Sequence, residues 1–199
     1  MWDKRYNTEE YVYGKHPNRF LVRHVDRLPK GKVLCLAEGE GRNAVYLAEQ
    51  GLSVVAVDSS VVGLKKAQKL AASRDVEIKT VVADLADFTI EPESWDAIIS
   101  IFCHLPAGLR KKLHKKCVAG LRPGGIFLLQ AYTPDQLHYG TGGPPVIELL
   151  ISLAELEQEL NGLIFEEARE TVCEIKDGKL HDGQSAVVQI VAAKPAAPF

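Results

Sequence analysis

At 199 residues with 46% hydrophobic side chains, the chain is long enough for one domain with a sizeable core. A formal net charge of −2 leaves no basic footprint for nucleic acid, and no run approaches the ~18 apolar residues of a membrane span. That balance suits a small metabolite or inorganic substrate better than a polyanion. The opening MWDKRYNTEEYVYG is polar and aromatic, unlike a signal peptide, so cytoplasmic residence is the expectation. Cys35, Cys103, Cys117 and Cys173 show neither a CxxC nor a Cys/His ligand pattern, which predicts free, largely buried thiols and no metal site.

Residues 1–31 precede the first core strand and form an N-terminal cap crowded with Trp2, Tyr6, Tyr11, Tyr13 and Phe20. Asn18, just after Pro17, is placed to cap a helix carrying Phe20, Leu21, His24, Val25 and Leu28, which Pro29-Lys30-Gly31 ends. The aromatics either pack on the sheet edge or close as a lid over a ligand. Residues 33–37 are a short apolar run suited to a strand buried on both faces. Gly39 and Gly41 then let the backbone turn sharply and approach a ligand. Residues 42–50 carry Ala44, Val45, Leu47 and Ala48 at helical spacing, with Gly51 as the stop. A second strand, 53–57, ends beside Asp58. Ser59 and Ser60 offer caps to the next helix, whose Leu64, Ala67, Leu70 and Ala71 face inward while Lys65, Lys66 and Lys69 form a solvated face.

Residues 77–83 read as a third strand, followed by Asp84, and 94–101 as a fourth, followed by Phe102, Cys103 and His104. A helix over 106–120 turns Leu109, Leu113 and Cys117 inward, and Arg122-Pro123-Gly124-Gly125 leads into a fifth strand at 126–132. Residues 133–145, TPDQLHYGTGGPP, are a loop of turn formers expected on the substrate side. Ser152 and Glu155 form a capping pair for a helix with Leu153, Leu156 and Leu160 inward. The strand-like stretches 163–175 and 185–193 are joined by KDGKLHDG, which is hairpin chemistry. One domain over 1–194 is expected, with a loose tail at 195–199.

The alternation predicts an α/β fold with a mostly parallel sheet, helices on both faces and a terminal antiparallel hairpin. The ligand then belongs outside the C-terminal strand edges, where Glu38, Asp58, Asp84 and Phe102 converge. Gly39-x-Gly41-x-x-Ala44 formally matches the dinucleotide fingerprint, which keeps a nicotinamide-dependent oxidoreductase in view. The terminal hairpin argues against it, and so do Glu38 and Glu40. Two carboxylates against a pyrophosphate are costly, whereas a ligand with an ammonium and a sulfonium is favoured there.

The run Glu38-Gly39-Glu40-Gly41-Arg42-Asn43-Ala44-Val45-Tyr46-Leu47-Ala48 resembles the glycine motif of class I S-adenosylmethionine-dependent methyltransferases of the tellurite-resistance and thiopurine type. The opening WDKRY…YVYG and the later RPGG and TGGP segments are similar to the same group. The resemblance implies a Rossmann-like, seven-stranded sheet and S-adenosylmethionine as cofactor. It implies that Ala37, Glu38, Gly39, Glu40 and Gly41 wrap the methionine part, and that Asp58 accepts the ribose hydroxyls. Ser59 would lie beside the adenine, Asp84 would take its amino group, and Leu85 would offer a backbone N–H. Ile101 and Phe102 would floor the site, and Trp2, Tyr6 and Tyr13 would close over it. The sequence departs from the pattern where Cys35 replaces an acid and Ala37 a glycine. Either Glu38 or Glu40 could take over the missing acid's hold on the ammonium group; the competing role for each is stabilising a helix N-terminus.

Methyl transfer from a sulfonium needs mainly alignment. His104 is placed to act as a general base, with an ordinary pKa near neutrality suited to the role, or else simply opens the next helix. Tyr132 is placed to orient an acceptor. The expected partner is a small-molecule methyl acceptor, a thiol or a chalcogen oxyanion, with no nucleic acid and no membrane. A catalytically silent S-adenosylmethionine-binding module is a further reading.

Overall fold

The structure is a computed structural model that describes residues 1–178 and 180–196; the end of the tail anticipated at 195–199 lies outside the described residues. Seven strands, β1 (Lys32–Leu36), β2 (Ser53–Asp58), β3 (Lys79–Val82), β4 (Trp95–Ile101), β5 (Leu121–Tyr132), β6 (Ile164–Lys176) and β7 (Asp182–Ala193), form one sheet. Their order is β3-β2-β1-β4-β5-β7-β6. The first five are mutually parallel, and β7 runs antiparallel between β5 and β6. The sheet is the anticipated Rossmann-like one, with the hairpin at its far side.

Alternate side chains of β1 enter different cores. Val33 and Cys35 pack with Phe20 and Leu21 of α2 (Arg19–His24), Ala44 and Leu47 of α3 (Arg42–Glu49), and Leu64 of α4 (Val61–Ala72). Leu34 and Leu36 pack on the other face with Leu113 and Cys117 of α5 (Ala107–Gly120) and Leu156 of α6 (Leu153–Glu159). A strand buried on both faces has to be apolar throughout, which is why the 33–37 run carries no polar residue. The caps follow the side-chain chemistry. Asn18 Oδ1 accepts the amides of Phe20 and Leu21, Ser60 Oγ accepts that of Gly63 at 3.0 Å, and Ser152 and Glu155 close a capping box.

Five local expectations change. The third strand is shorter than 77–83, and the fifth begins at Leu121, because Trp95 pairs with Leu121 before a register shift leads into the Ala97–Ile126 pairing. The 133–145 loop opens with a 3₁₀ turn, Pro134–His138, and a further short helix, α1 (Trp2–Tyr6), begins the cap. Lys66 departs most. It is not on a solvated face but is 9% exposed, because residues 6–10 fold over it. No described helix is long and apolar enough to cross a membrane.

The chain leaves β1, runs outward through β2 and β3, then returns to β4 on the other side of β1. This reversal opens a crevice at the C-terminal strand ends. The crevice depends on how closely α3 and α4 approach. Gly41, the N-cap of α3, has φ 89°, and a Cβ there would lie 2.5 Å from Ala67 Cβ and 2.7 Å from its Cα. Gly41→Ala is expected to cost about 2–5 kcal/mol, combining left-handed strain with overpacking. Gly51→Ala has a similar φ of 80° but open space around it, and is expected to cost only about 1–2 kcal/mol. Urea unfolding of the two variants measures the difference.

Candidate active site

The turn after β1 is held by its own polar side chains, and each has a different partner. Glu38 Oε1 accepts the amides of Asn43 (3.0 Å) and Ala44 (2.8 Å), so it caps α3. Glu40 Oε2 accepts the Val12 amide at 2.8 Å, and its Oε1 is ion-paired with Lys66. Arg42 Nη2 donates to Asp177 Oδ2 at 2.8 Å, at the turn of the β6–β7 hairpin. Asn43 Oδ1 accepts the Asn18 amide at 2.9 Å, fixing the start of α2. Ala37 adopts φ 49°, a left-handed conformation that glycine takes without strain. The glycine of the related pattern therefore answers a backbone demand that this chain meets with alanine at a cost of about 1 kcal/mol.

Around this turn lies a cavity of about 810 Å³, at the upper end of the ~300–1,000 Å³ usual for small-molecule sites. It gathers Ala37 and Glu38 after β1, Asp58 and Ser59 after β2, Asp84 and Leu85 after β3, and Ile101, Phe102, Cys103 and His104 after β4. Trp2, Tyr6 and Tyr13 close one side. Trp2 stacks on Tyr6 with centroids 5.7 Å apart, and a Cβ at Gly39 would lie 2.5 Å from the Tyr6 hydroxyl. Glycine at position 39 thus makes room for the lid itself. Asp58 is 5% exposed; its Oδ2 accepts the Gly39 amide at 2.9 Å and its Oδ1 the Ser60 amide at 2.8 Å. Each oxygen retains a second lone pair, so these bonds aim the carboxylate without exhausting it.

Some sequence-predicted residues sit elsewhere. Gly39 and Gly41 shape the wall and do not line the cavity, and Glu40 reaches it but is engaged by Lys66 and the Val12 amide. Tyr132 is fully buried and stacks behind Phe102 at 4.6 Å, with its hydroxyl against Gly142. It supports the Phe102 ring, itself held at φ 54°, rather than facing the cavity.

His104 does line the cavity, in a protonation state unlike the one expected. Its Nδ1 lies 3.1 Å from the Leu149 carbonyl, which can only accept, so Nδ1 carries the hydrogen and Nε2 presents a lone pair. That Nε2 is buried with no hydrogen-bond partner among the described residues. Burial pushes the imidazole down to about 4. At neutral pH it is a fixed hydrogen-bond acceptor and not the near-neutral base anticipated. Glu38 moves the other way: burial raises its carboxyl to about 7, against the pull of the Ala44 and Asn43 amides.

Residues 33–125 match the family described as methyltransferase domain. Those residues are similar to a methyltransferase domain. The family is S-adenosylmethionine-dependent, and the seven-stranded sheet around the match is the class I methyltransferase fold. The chain is 29% identical over 181 residues to tRNA (uracil(54)-C(5))-methyltransferase of Pyrococcus furiosus, covering 83% of this chain and 38% of that protein. It is 30% identical over 122 residues to 2-heptyl-1-hydroxyquinolin-4(1H)-one methyltransferase of Mycobacteroides abscessus, covering 59% and 54%. The chain thus spans about half or less of these curated relatives. TehB from Haemophilus influenzae shares the fold, with a TM-score of 0.74 and 22% identity over 97% of this chain and 65% of that one.

Beyond residue 125 the cavity is completed by segments the motif does not announce. Gly140 to Val146 and Leu149 form one wall, and Leu180, His181 and Asp182 of the hairpin tip another. His181 packs on Tyr13 (4.7 Å), Phe102 (4.9 Å) and Tyr132 (5.3 Å). Burial, then the Arg42 charge, pushes it down to about 3, and its Nδ1 has no partner among the described residues. The only signal for it in the sequence was a histidine inside a hairpin turn, next to glycines. Both histidines titrate far below their ordinary 6.5. Their contribution to stability is present in full above that value and is lost as pH falls toward about 3–4. The melting temperature of His181→Gln is expected to fall less steeply than wild type between pH 6.5 and 4.5. The two stabilities should converge by up to ~1.4 kcal/mol per pH unit in paired melts.

Proposed function

We propose that the chain is an S-adenosylmethionine-dependent methyltransferase acting on a small molecule with a soft, thiol-like nucleophile. The observation that carries this reading is the convergence of the buried Asp58 and half-buried Glu38 carboxyl groups under an aromatic lid, at the reversal of the sheet. Two acids suit a ligand that carries cations and no phosphate, which is what separates it from a dinucleotide. The residues present fit the cofactor. In this reading Asp58 takes the ribose hydroxyls with its remaining lone pairs, Ser59 and Leu85 flank the adenine, and Asp84 faces its amino group. Glu38, whose two amide bonds both fall on Oε1, is the acid that replaces the one missing at Cys35. The Cys35 thiol is raised by burial and by the adjoining Glu38 carboxylate, so the two side chains are neighbours. Glu40 is assigned no such role, because Lys66 occupies it.

The cofactor supplies a methyl group already activated on a sulfonium. The chain's own part is to align the acceptor and exclude water. The acceptor side is lined by Leu105, Pro144, Pro145, Val146, Leu149 and Leu180. Its two histidines are neutral and Arg42 is paired with Asp177, so this wall suits an apolar thiol; Arg5, on the lid side of the cavity, donates to the Tyr13 hydroxyl at 3.0 Å. His104 Nε2 would accept the hydrogen of the incoming nucleophile and hold it in line. A net charge of −2 argues against a nucleic-acid acceptor such as that named for the Pyrococcus relative.

Calorimetry tests the assignment. S-adenosylmethionine and S-adenosylhomocysteine are expected to bind, and a nicotinamide dinucleotide is not; the reverse pattern overturns the reading. Asp58→Ala should weaken binding roughly tenfold to a hundredfold, as for loss of a charge-assisted hydrogen bond. Because Glu38 is raised to about 7, an ammonium placed beside it draws off its proton. Titrations in buffers of different ionisation enthalpy at pH 7 should show proton release on binding, which Glu38→Gln abolishes.

A further inference from the structure

We propose that Lys66 and Glu40 form the latch that holds residues 6–13 closed over the cofactor site, with Lys66 acting as a positioning residue for cofactor binding. Lys66 lies on α4, outside the cavity lining, and its ammonium is buried. Nζ donates to three carbonyls of the lid, Tyr6 (3.4 Å), Thr8 (3.1 Å) and Glu10 (2.6 Å), and pairs with the Glu40 carboxylate. It also stands 4.8 Å from the centroid of Tyr11, whose hydroxyl donates to the Lys66 carbonyl at 3.0 Å. The other oxygen of Glu40 accepts the amides of Val12 (2.8 Å) and Tyr13 (3.4 Å).

The lid between residues 7 and 13 has no helix or strand in which to satisfy its backbone. Its carbonyls are met by a buried cation and its amides by a buried anion, and those two charges neutralise each other. The arrangement is complete only with the lid down. Lifting residues 6–13 would strip a buried ammonium and a buried carboxylate of their hydrogen bonds together, which makes the closed position strongly preferred. Glu40 stands between Gly39 and Gly41, so the turn under the ligand and the lid above it are tied through one side chain. The outer end of the lid has a separate anchor, where Asp3 Oδ1 accepts the Ser60 hydroxyl at 2.5 Å and the Val62 amide at 3.2 Å. Tyr6, between the two anchors, is thereby pressed onto Gly39 and Gly63.

The part of the proposal that concerns the cofactor rests on the function inferred above; the latch itself does not. Two readouts on Lys66→Met separate them. Limited trypsin digestion of the ligand-free protein reports lid opening through cleavage after Arg5 and Lys15. Calorimetry with S-adenosylhomocysteine reports the closed, binding-competent fraction. Lys66→Met is expected to speed cleavage about tenfold and weaken binding about tenfold, with Lys66→Arg recovering part of both. Wild-type cleavage and affinity in Lys66→Met overturn the latch. Faster cleavage with unchanged affinity overturns the positioning role. If wild type binds neither S-adenosylhomocysteine nor S-adenosylmethionine, the function inferred above falls, and the trypsin arm still decides the latch alone. Should Lys66→Met not fold, Glu40→Gln removes the charge and keeps an acceptor for the Val12 amide. The same cleavage and binding measurements on that variant then support or overturn the latch by the same outcomes.

Discussion

The structure depends on one constraint: the turn between β1 and α3 must hold four polar side chains where little water reaches them. Buried polar groups need partners, and here every partner belongs to a different part of the chain. Glu38 takes the start of α3, Glu40 takes Lys66 and the lid, Arg42 takes Asp177 of the hairpin, and Asn43 takes the start of α2. The cover of the cavity is thus assembled from segments far apart in sequence by the residues that line its base. A motif that reads as a ligand loop is equally a hub for the fold.

This organisation sets the electrostatics of the site. Because Arg42 and Glu40 are committed to Asp177 and Lys66, the strand ends present the carboxyls of Asp58 and Glu38 to the cavity, with Asp84 at the rim, Arg5 on the lid and Asp182 at the hairpin. Burial leaves His104 and His181 neutral, so the wall they share carries no charge from either ring. The cavity thus has a negative pole on one side and a neutral, aromatic wall on the other. The strained backbones of Ala37 and Phe102 lie at the border between the two sides, at the ends of adjacent strands. Strain kept at such positions follows from asking the chain to leave each strand sharply at the cavity.

Much of this was legible from local chemistry. Strand and helix positions followed from apolar periodicity, the caps at Asn18, Ser60 and Ser152 from side-chain oxygens, and the hairpin from its glycines. The site edge followed from topology, since residues after β1, β2, β3 and β4 must share one end of a parallel sheet. What was not legible depended on contacts across long sequence separation. Lys66 looked like a solvated lysine because its neighbours Lys65 and Lys69 are; only the return of residues 6–10 over α4 buries it. Glu38 and Glu40 looked interchangeable, and they differ because one lies at a helix start and the other under the lid. Tyr132 sat at the right strand end but is fully buried, since Phe102 turns across it.

The sequence alone determined the layered α/β architecture, the position of the ligand cavity and the anionic character of its turn. Those properties arise from interactions between residues close in the chain, or from the rule that parallel strands end together. Tertiary structure decided which acid is committed and which faces the cavity, which histidines join the site and in what protonation state, and what Lys66 holds. Burial and charge pairing depend on which distant segments meet, and desolvation is a property of that meeting rather than of any residue by itself.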